Sequence, residues 1–173
     1  MSSHSFIAQP TSRVNIRNLS NFLREKFGMF DQKYFPVVEV LELILPQLYK
    51  DFHYEIESIK DMGSRHGETI PQKSLIRIRE DVYLNACDGI GRDRFTIAHE
   101  IGHLFMHHPK NMSLARTDKK QSIPKYCDPE WQAHTFAGEL LAPPHIINGL
   151  SIPAIMKYCG VSESVAEIQR KQC

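Results

Sequence analysis

Four of the nine histidines in this 173-residue chain lie between His99 and His108. Apolar residues recur around them at the spacing of an α-helix: Phe95, Ala98, Ile101 and Leu104. This pattern predicts a long helix over residues 94–107 with one apolar face. Polar side chains on a largely buried helix need partners, so the cluster limits what the chain can fold into.

The run His99-Glu100-Ile101-Gly102-His103 lies inside this predicted helix. Residues four apart share one face of a helix, so the two imidazoles can hold one Zn²⁺ ion. Glu100 lies beside them and can act as the general base that takes a proton from water during attack on a carbonyl. The alternative is an amphipathic helix with two surface histidines. The apolar flanks and the helical glycine, which suits a close packing contact, argue against it.

A catalytic zinc site also needs a third protein ligand and one open position. The longer motif with a third histidine is absent, because Met106 and Pro109 occupy the positions of its glycine and its last histidine. The remaining candidates are His107, His108, Glu130, His134, Glu139 and the four cysteines. Asp128 and Pro129 predict an N-cap and a first helical position, so Glu130 opens the next predicted helix. An antiparallel helix pair could then bring Glu130 to the metal. His134 lies one turn later and could be a ligand, a partner of a ligand or an oxyanion donor; spacing alone favours Glu130 only slightly.

His107 and two cysteines are weaker candidates for the site. His107 is one turn beyond His103, too far along the helix axis to share a tetrahedral ion easily, so we expect it to cap the helix or to support a ligand. Cys87 precedes the helix, and its thiolate could bind zinc and hold the site inactive until it is displaced or oxidised. Cys127, just before Glu130, could act in the same way. For both cysteines, a free thiol with no role is the simpler interpretation.

Hydrophobic periodicity and turn residues predict the remaining elements. Residues 1–16 are predicted to form a flexible leader. Helices are predicted over 18–27, from Pro36 onward, over 130–141, and at about 153–159 and 164–171. Strands are predicted over 52–56 and 75–84, the latter ending in a short second strand at 82–84, with a loop or hairpin over 61–73. We expect a mostly helical, zincin-like α+β domain with a small β-sheet before the H-E-x-x-H helix.

The composition limits the classes of partner. The chain has 21 Lys and Arg against 20 Asp and Glu, so its net charge of +1 provides no global basic field for nucleic acid. The N-terminus lacks the basic start and apolar stretch of a signal peptide, and the apolar run over 35–48 is too interrupted to span a membrane. We therefore expect a cytoplasmic protein without a membrane partner. Its four cysteines, which form no C-x-x-C pair, should be free thiols.

Two segments of the chain carry a linked pattern. The first runs Gly91-Arg-Asp-Arg-Phe-Thr-Ile-Ala-His99-Glu-Ile-Gly-His103, and the second runs Glu130-Trp-Gln-Ala-His134-Thr-Phe-Ala-Gly-Glu-Leu-Leu-Ala-Pro143. Together they resemble the ImmA/IrrE-type zinc metallopeptidases, whose pattern is approximately R-x-R-F-T-x-A-H-E-x-G-H followed by E-x-x-A-N-x-F-A-x-x-L-L-M-P. The resemblance covers about residues 35–171. It departs from the pattern at His134, where asparagine is usual, and at Ala142, where methionine is usual.

The resemblance implies that His99, His103 and Glu130 bind one Zn²⁺ ion and that Glu100 is the general base. It also implies one metallopeptidase domain over residues 17–173, with a short C-terminal helical pair at about 151–173. The family's known substrates are mostly helix-turn-helix repressors, cut to switch on prophage, mobile-element, stress or defence genes. The expected function is a zinc endopeptidase that cleaves such a repressor. The alternative is a zinc-loaded, non-proteolytic binding module that sequesters a repressor or nucleic acid.

Two further segments are candidates for binding other molecules. A strand before the zinc helix often pairs with extended substrate in zinc peptidases, so strand 75–84 is the candidate for that contact. The long polar loop predicted over 109–129 carries five basic residues: Lys110, Arg116, Lys119, Lys120 and Lys125. This loop could bind single-stranded nucleic acid as an activating signal, although a solvated loop is the simpler interpretation.

Overall fold

The computed structural model describes residues 6–108, 112–114 and 123–173. Its helices, in chain order, are α1 (Arg13–Lys26), α2 (Val37–Glu39), α3 (Leu45–Leu48), α4 (Ile59–Met62), α5 (Glu80–Cys87), α6 (Gly91–Met106), α7 (Pro129–Leu141), α8 (Pro144–Ile147), α9 (Ile152–Cys159) and α10 (Glu163–Arg170). A π-helical turn (Val40–Ile44) joins α2 to α3, and short 3₁₀ turns lie at Pro71–Lys73 and Lys125–Cys127. Within these described ranges, no helix has the length and apolar character that a membrane crossing requires.

The strands form two small sheets. They are β1 (Phe6–Ala8), β2 (His53–Glu57), β3 (Gly67–Ile70), β4 (Leu75–Arg79) and β5 (Met112–Leu114). In the three-stranded sheet, β4 is central and pairs in parallel with β2 and antiparallel with β3. Strands β1 and β5 form a separate antiparallel pair. Among the described strands, β3 is therefore an edge strand, and it contacts helix α6. The predicted α+β class, mostly helical with a small sheet before the motif helix, is confirmed.

Helices α6 and α7 pack closely through a glycine. The inner face of α6 is fully buried, with Ile97 and Ala98 in the hydrophobic core. A Cβ atom on Gly102 would lie 2.9 Å from Phe136 Cδ1 and 3.3 Å from Ala133 Cα, both on α7. The glycine therefore lets the two helix backbones approach, as its position inside an apolar helix pattern indicated.

The start of α7 is set by local sequence. The Asp128 side chain accepts a hydrogen bond from the Glu130 backbone N–H at 3.0 Å, and Pro129 occupies the first turn. These are favoured residues for an N-cap and a first helical position, and the sequence predicted this start. Since α7 begins here and packs along α6, Glu130 is placed at one end of the helix pair.

Ion pairs attach the N-terminal helix to α7. Glu139 on α7 is fully buried, and its carboxylate lies 2.8 Å from Arg13 Nη1 and 2.8 Å from Arg17 Nε, both on α1. A buried carboxylate is stable only when it is paired, so the two arginines hold α1 in place. Ile16 adds an apolar contact, because only 1% of its surface is exposed.

The predicted leader was too long. Residues 6–8 form β1, and α1 begins at Arg13 rather than at residue 18, with the Ser12 side chain accepting a hydrogen bond from the Asn15 N–H at 3.2 Å. Polar residues with a helical cap were mistaken for an unstructured segment. Residues 1–5 lie outside the described residues, and the proposed division of the chain into domains stays a prediction.

One strand assignment was also wrong in part. Residues 82–84 lie in α5, because Val82 and Ala86, four residues apart, are both buried on one helical face. The predicted strand over 52–56 is confirmed as β2 (His53–Glu57), in which Ile56 is 39% exposed. Strand β3 lies within the segment 61–73, which was predicted as a loop or hairpin. It pairs antiparallel with β4, which follows that segment.

Valine in place of Gly102 is expected to lower the free energy of unfolding by about 1–3 kcal/mol, because the branched side chain overpacks the contact with Phe136. Urea unfolding of chelator-treated protein measures this change. Alanine at the same position is the control, since its better helix propensity offsets part of the cost. An unchanged unfolding midpoint for the valine variant would show that the interface is not close-packed.

Candidate metal centre

His99 and His103 lie one turn apart on the face of α6 that is partly open to solvent. Their Nε2 atoms are 3.0 Å apart, and their side chains are 18% and 15% exposed. The opposite face of α6 is buried in the core. The helix therefore presents two ring nitrogens side by side at an accessible position.

Glu130 reaches the same point from the start of α7. Its Oε2 lies 3.2 Å from His99 Nε2, and its Oε1 lies 3.3 Å from His103 Nε2. The adjacent rings of His103 and His99 hold the pKa of the Glu130 carboxyl well below its usual range. The structure thus brings together the three ligand residues that the resemblance implied, with their ligand atoms within 4.8 Å of one another.

The geometry of this group fits a bound zinc ion. Tetrahedral ligands about 2.0–2.1 Å from Zn²⁺ lie about 3.3 Å from one another. The observed separations of 3.0, 3.2 and 3.3 Å agree with that value. Two imidazoles and one carboxylate are also a known donor set of catalytic zinc sites, which keep a fourth position open. Without a proton or cation between them, three electron-donating atoms this close would repel one another.

The side chain of Glu100 extends from α6 to the edge strand β3. It is 7% exposed, and the Thr69 hydroxyl donates a hydrogen bond to its Oε2 at 2.6 Å. Burial raises the pKa of the Glu100 carboxyl, and the Thr69 hydrogen bond acts in the opposite direction. Glu100 lines a cavity of about 270 Å³ together with the three ligand residues. A carboxyl group placed in this way can accept a proton from water and release it to a leaving group.

Strand β3 can lie this close to Glu100 because Gly67 has no side chain. A Cβ atom on Gly67 would lie 2.7 Å from Glu100 Cγ and 2.9 Å from its Oε1. Neither Gly67 nor Thr69 was predicted to be part of the site. Both belong to a segment that was predicted as a loop or hairpin, and no local pattern marks their contact with α6.

His107 supports His103 from the buried side. Its Nδ1 lies 2.8 Å from His103 Nδ1, and its Nε2 lies 2.9 Å from Oε1 of Gln132 on α7. Burial lowers the pKa of His107 to about 4, so the ring is neutral at neutral pH. This placement agrees with the expected supporting role of His107. The contact between Gln132 and His107 was not predicted from the sequence.

Comparison with known protein families matches residues 55–169 to peptidase family M78, described as the IrrE N-terminal-like domain. The match covers more than half of the chain. The chain belongs to this family. A search among curated proteins found no match.

Membership in peptidase family M78 makes this a domain of metallopeptidase type. The matched segment begins in β2 and ends in α10. It therefore contains the edge strand β3, both site helices and all three candidate ligands. The resemblance that the two linked motifs indicated is confirmed.

His134 lies beside the ligand group of this M78 domain. Its ring centroid is 6.1 Å from that of His99 and 4.6 Å from that of Phe95, which it meets edge to face. Partial burial and then the neighbouring His99 lower the pKa of His134. His134 is outside the three-residue ligand group found in the described part of the chain. The role of His134 as a hydrogen-bond donor to the oxyanion stays a prediction.

Cys87 and Cys127 lie on the segments that precede the two site helices. Cys87 is exposed at the end of α5 and lines a different cavity with Tyr34 and Arg94, while Cys127 is partly buried in the 3₁₀ turn before α7. Neither belongs to the metal-ligating group formed by the described residues. This arrangement gives no support to thiol inhibition by Cys87. All four cysteines are free, as predicted.

Alanine in place of Gly67 is expected to slow peptide hydrolysis about 100-fold, because a displacement of about 1 Å at a reacting group can have that effect. The added Cβ would displace Glu100, whereas the zinc ligands would stay in place. Hydrolysis rate and zinc content are measured on the same preparation. Glu55→Gln is the control, since Glu55 lies on β2, at the opposite edge of the sheet, and its side chain pairs with Arg77. Full activity of the alanine variant would show that the Gly67 contact does not position Glu100.

Proposed function

We propose that this domain is a zinc-dependent endopeptidase whose substrate is a helix-turn-helix transcriptional repressor. The convergence of His99, His103 and Glu130 beside the buried carboxyl of Glu100 supports the peptidase part of this proposal. Membership in a metallopeptidase family supports it independently. The repressor as substrate rests on the resemblance to the ImmA/IrrE-type enzymes.

The site residues account for the proton movements of peptide hydrolysis. A zinc ion held by the three ligands would polarise the scissile carbonyl and lower the pKa of a water molecule. Glu100 accepts a proton as the water oxygen adds to the carbonyl carbon. It then gives this proton to the leaving nitrogen as the C–N bond breaks, and the carboxylate is restored. The Thr69 hydrogen bond holds the Glu100 carboxyl group toward the cavity.

Strand β3 is the better candidate for contact with an extended substrate. This contact was predicted on strand 75–84, but β4 is the central strand and already has a neighbour on each side. A cavity of about 310 Å³ lies beside the metal ligands His103 and Glu130, with Ile70, Pro71 and Pro129 in its lining. An extended peptide added along the edge of β3 would place its backbone next to the site and an apolar side chain in this cavity.

The predicted nucleic-acid activator remains a proposal. Of the five basic residues in the long loop, only Lys125 lies in the described part of the chain. Activation by single-stranded nucleic acid is tested as one condition of the cleavage assay.

The proposal is tested by incubating the zinc-loaded protein with the helix-turn-helix repressor encoded nearest to its gene, with and without single-stranded DNA. Mass spectrometry of the products should show two repressor fragments, and chelator-treated protein should leave the repressor intact. Casein serves as a general peptidase substrate. Cleavage of casein but of no repressor tested would contradict the substrate class, while cleavage of neither protein would contradict the peptidase function.

A further inference from the structure

We propose that a hydrogen-bond relay from two backbone carbonyls, through Gln132 and His107, fixes which ring nitrogen of His103 faces the metal. His107 and Gln132 are thus positioning residues that act through His103. The inference rests on the metal-binding part of the proposed function. It does not depend on the substrate.

The relay begins at Gln132, whose orientation is fixed. Gln132 is 2% exposed, and its Nε2 donates hydrogen bonds to Gln9 O at 2.8 Å and to Tyr126 O at 2.8 Å. A carbonyl oxygen can only accept, so the NH₂ group must face these two atoms. The amide oxygen of Gln132 is therefore left to face His107.

This orientation decides the proton positions on both histidines. His107 Nε2 lies 2.9 Å from Gln132 Oε1, an acceptor, so it must carry the hydrogen. A neutral imidazole has a single N–H group, so His107 Nδ1 is an acceptor. His103 Nδ1, 2.8 Å away, must then be the donor. As a result, His103 Nε2 presents its lone pair toward His99 and Glu130.

The relay thus prepares His103 as a metal ligand. A hydrogen bond from the far nitrogen of a ligating imidazole fixes its tautomer and ring orientation and strengthens its electron donation. The carbonyls at the base of the relay belong to the segment after β1 and to the 3₁₀ turn before α7. These two segments are also joined by the Thr11 N–H, which donates to Tyr126 O at 3.0 Å. Gln9 precedes the segment that matches the family, so this support comes partly from the chain's own N-terminal residues.

If Gln132 only stabilised the fold, its loss would affect zinc binding no more than the loss of another buried glutamine. Gln169 is the matched control. Gln169 is also buried, with 1% of its surface exposed, and its Nε2 donates a hydrogen bond to Ala142 O at 3.1 Å. It lies on α10 and has no contact with the metal ligands among its described hydrogen bonds. Leucine at either glutamine removes a buried hydrogen-bonding group. Only the change at Gln132 interrupts the relay.

The test is the zinc dissociation constant of the full chain, measured by competition with a chelator. His107→Leu and Gln132→Leu should weaken zinc binding about 10- to 100-fold, the usual effect of removing a residue that supports a ligand. His107→Asn keeps an acceptor near the position of Nδ1 and should stay within about threefold of wild type, while Gln169→Leu should stay within about twofold. The absorption spectrum of the cobalt-substituted protein gives a second readout. Its ligand-field bands should change in His107→Leu and stay unchanged in Gln169→Leu.

Three results would overturn the inference. Zinc affinities of His107→Leu and Gln132→Leu equal to that of Gln169→Leu would show that the network is only structural. Zinc binding by His107→Asn as weak as that by His107→Leu would show that a hydrogen-bond acceptor at the position of Nδ1 is not required. The comparison of these two His107 variants remains decisive even when Gln132→Leu does not fold. A wild-type protein that binds no zinc would remove the metal assignment itself, and this result is distinct from the other two.

Discussion

Glutamine in place of Glu100 is expected to abolish peptide hydrolysis while zinc stays bound. General acid–base catalysis by one side chain contributes about 10²- to 10⁴-fold, and the amide of glutamine cannot accept the proton. The substitution preserves size and keeps an oxygen that can accept the Thr69 hydrogen bond. The zinc ligands are other residues, so zinc content should equal that of wild type. Cleavage rate and zinc content, measured on one preparation, check both parts.

The same variant separates the enzyme from the binding module. A reporter gene under the target repressor should stay repressed when the Glu100→Gln protein is produced, because the repressor is no longer cut. Derepression by this variant equal to that by wild type would contradict the enzyme account and favour sequestration. Glu55→Gln is the matched control, since it makes the same change to a carboxylate on β2, outside the ligand group and the cavity, and should leave cleavage unchanged.

Alanine in place of Glu130 is expected to remove zinc from the site. Loss of a residue that supports a ligand costs about 10- to 100-fold in metal affinity, and loss of a ligand itself should cost more than about 100-fold. Added zinc stabilises wild-type protein by binding the folded state, so its melting temperature should rise with zinc concentration. The rise should disappear in the variant, together with peptide hydrolysis.

Glu163→Ala provides the control for this measurement. Glu163 is also an acidic residue in the first turn of its helix, α10, so both substitutions remove a similar interaction with a helix dipole. Only the Glu130 variant should lose the zinc-dependent rise. Unchanged zinc affinity in Glu130→Ala would contradict the ligand assignment and direct attention to His134, the neighbouring imidazole. His134→Asn, which restores the residue usual in the family, would then be expected to lose zinc.

The metal ligands could be predicted because their positions follow from local rules. His99 and His103 meet because they are four residues apart in a helix, whose buried face was visible as an apolar repeat. The start of α7 was readable from Asp128 and Pro129, and it determines where Glu130 lies. Spacing alone nevertheless left Glu130 and His134 nearly equal. The resemblance favoured Glu130, and the packing of α7 against α6 brings its carboxylate to the two imidazoles.

The supporting residues could not be predicted because their contacts connect distant parts of the chain. Thr69 meets Glu100 across 31 positions, and Gln132 reaches the Gln9 carbonyl across 123 positions. Neither pair follows a helical or strand period. The error at residues 82–84 has a related cause, since a short apolar run fits a strand or a buried helix equally well until its neighbours are known. Val82 is buried in the core as part of a helix.

X-ray absorption at the zinc edge of the purified protein tests the central claim most directly, because it reports the atoms bound to the metal. The account predicts one zinc per chain, with nitrogen and oxygen neighbours at about 2.0–2.1 Å, imidazole scattering from His99 and His103, and no sulfur. A sulfur shell at about 2.3 Å would contradict it and return Cys87 and Cys127 to the site.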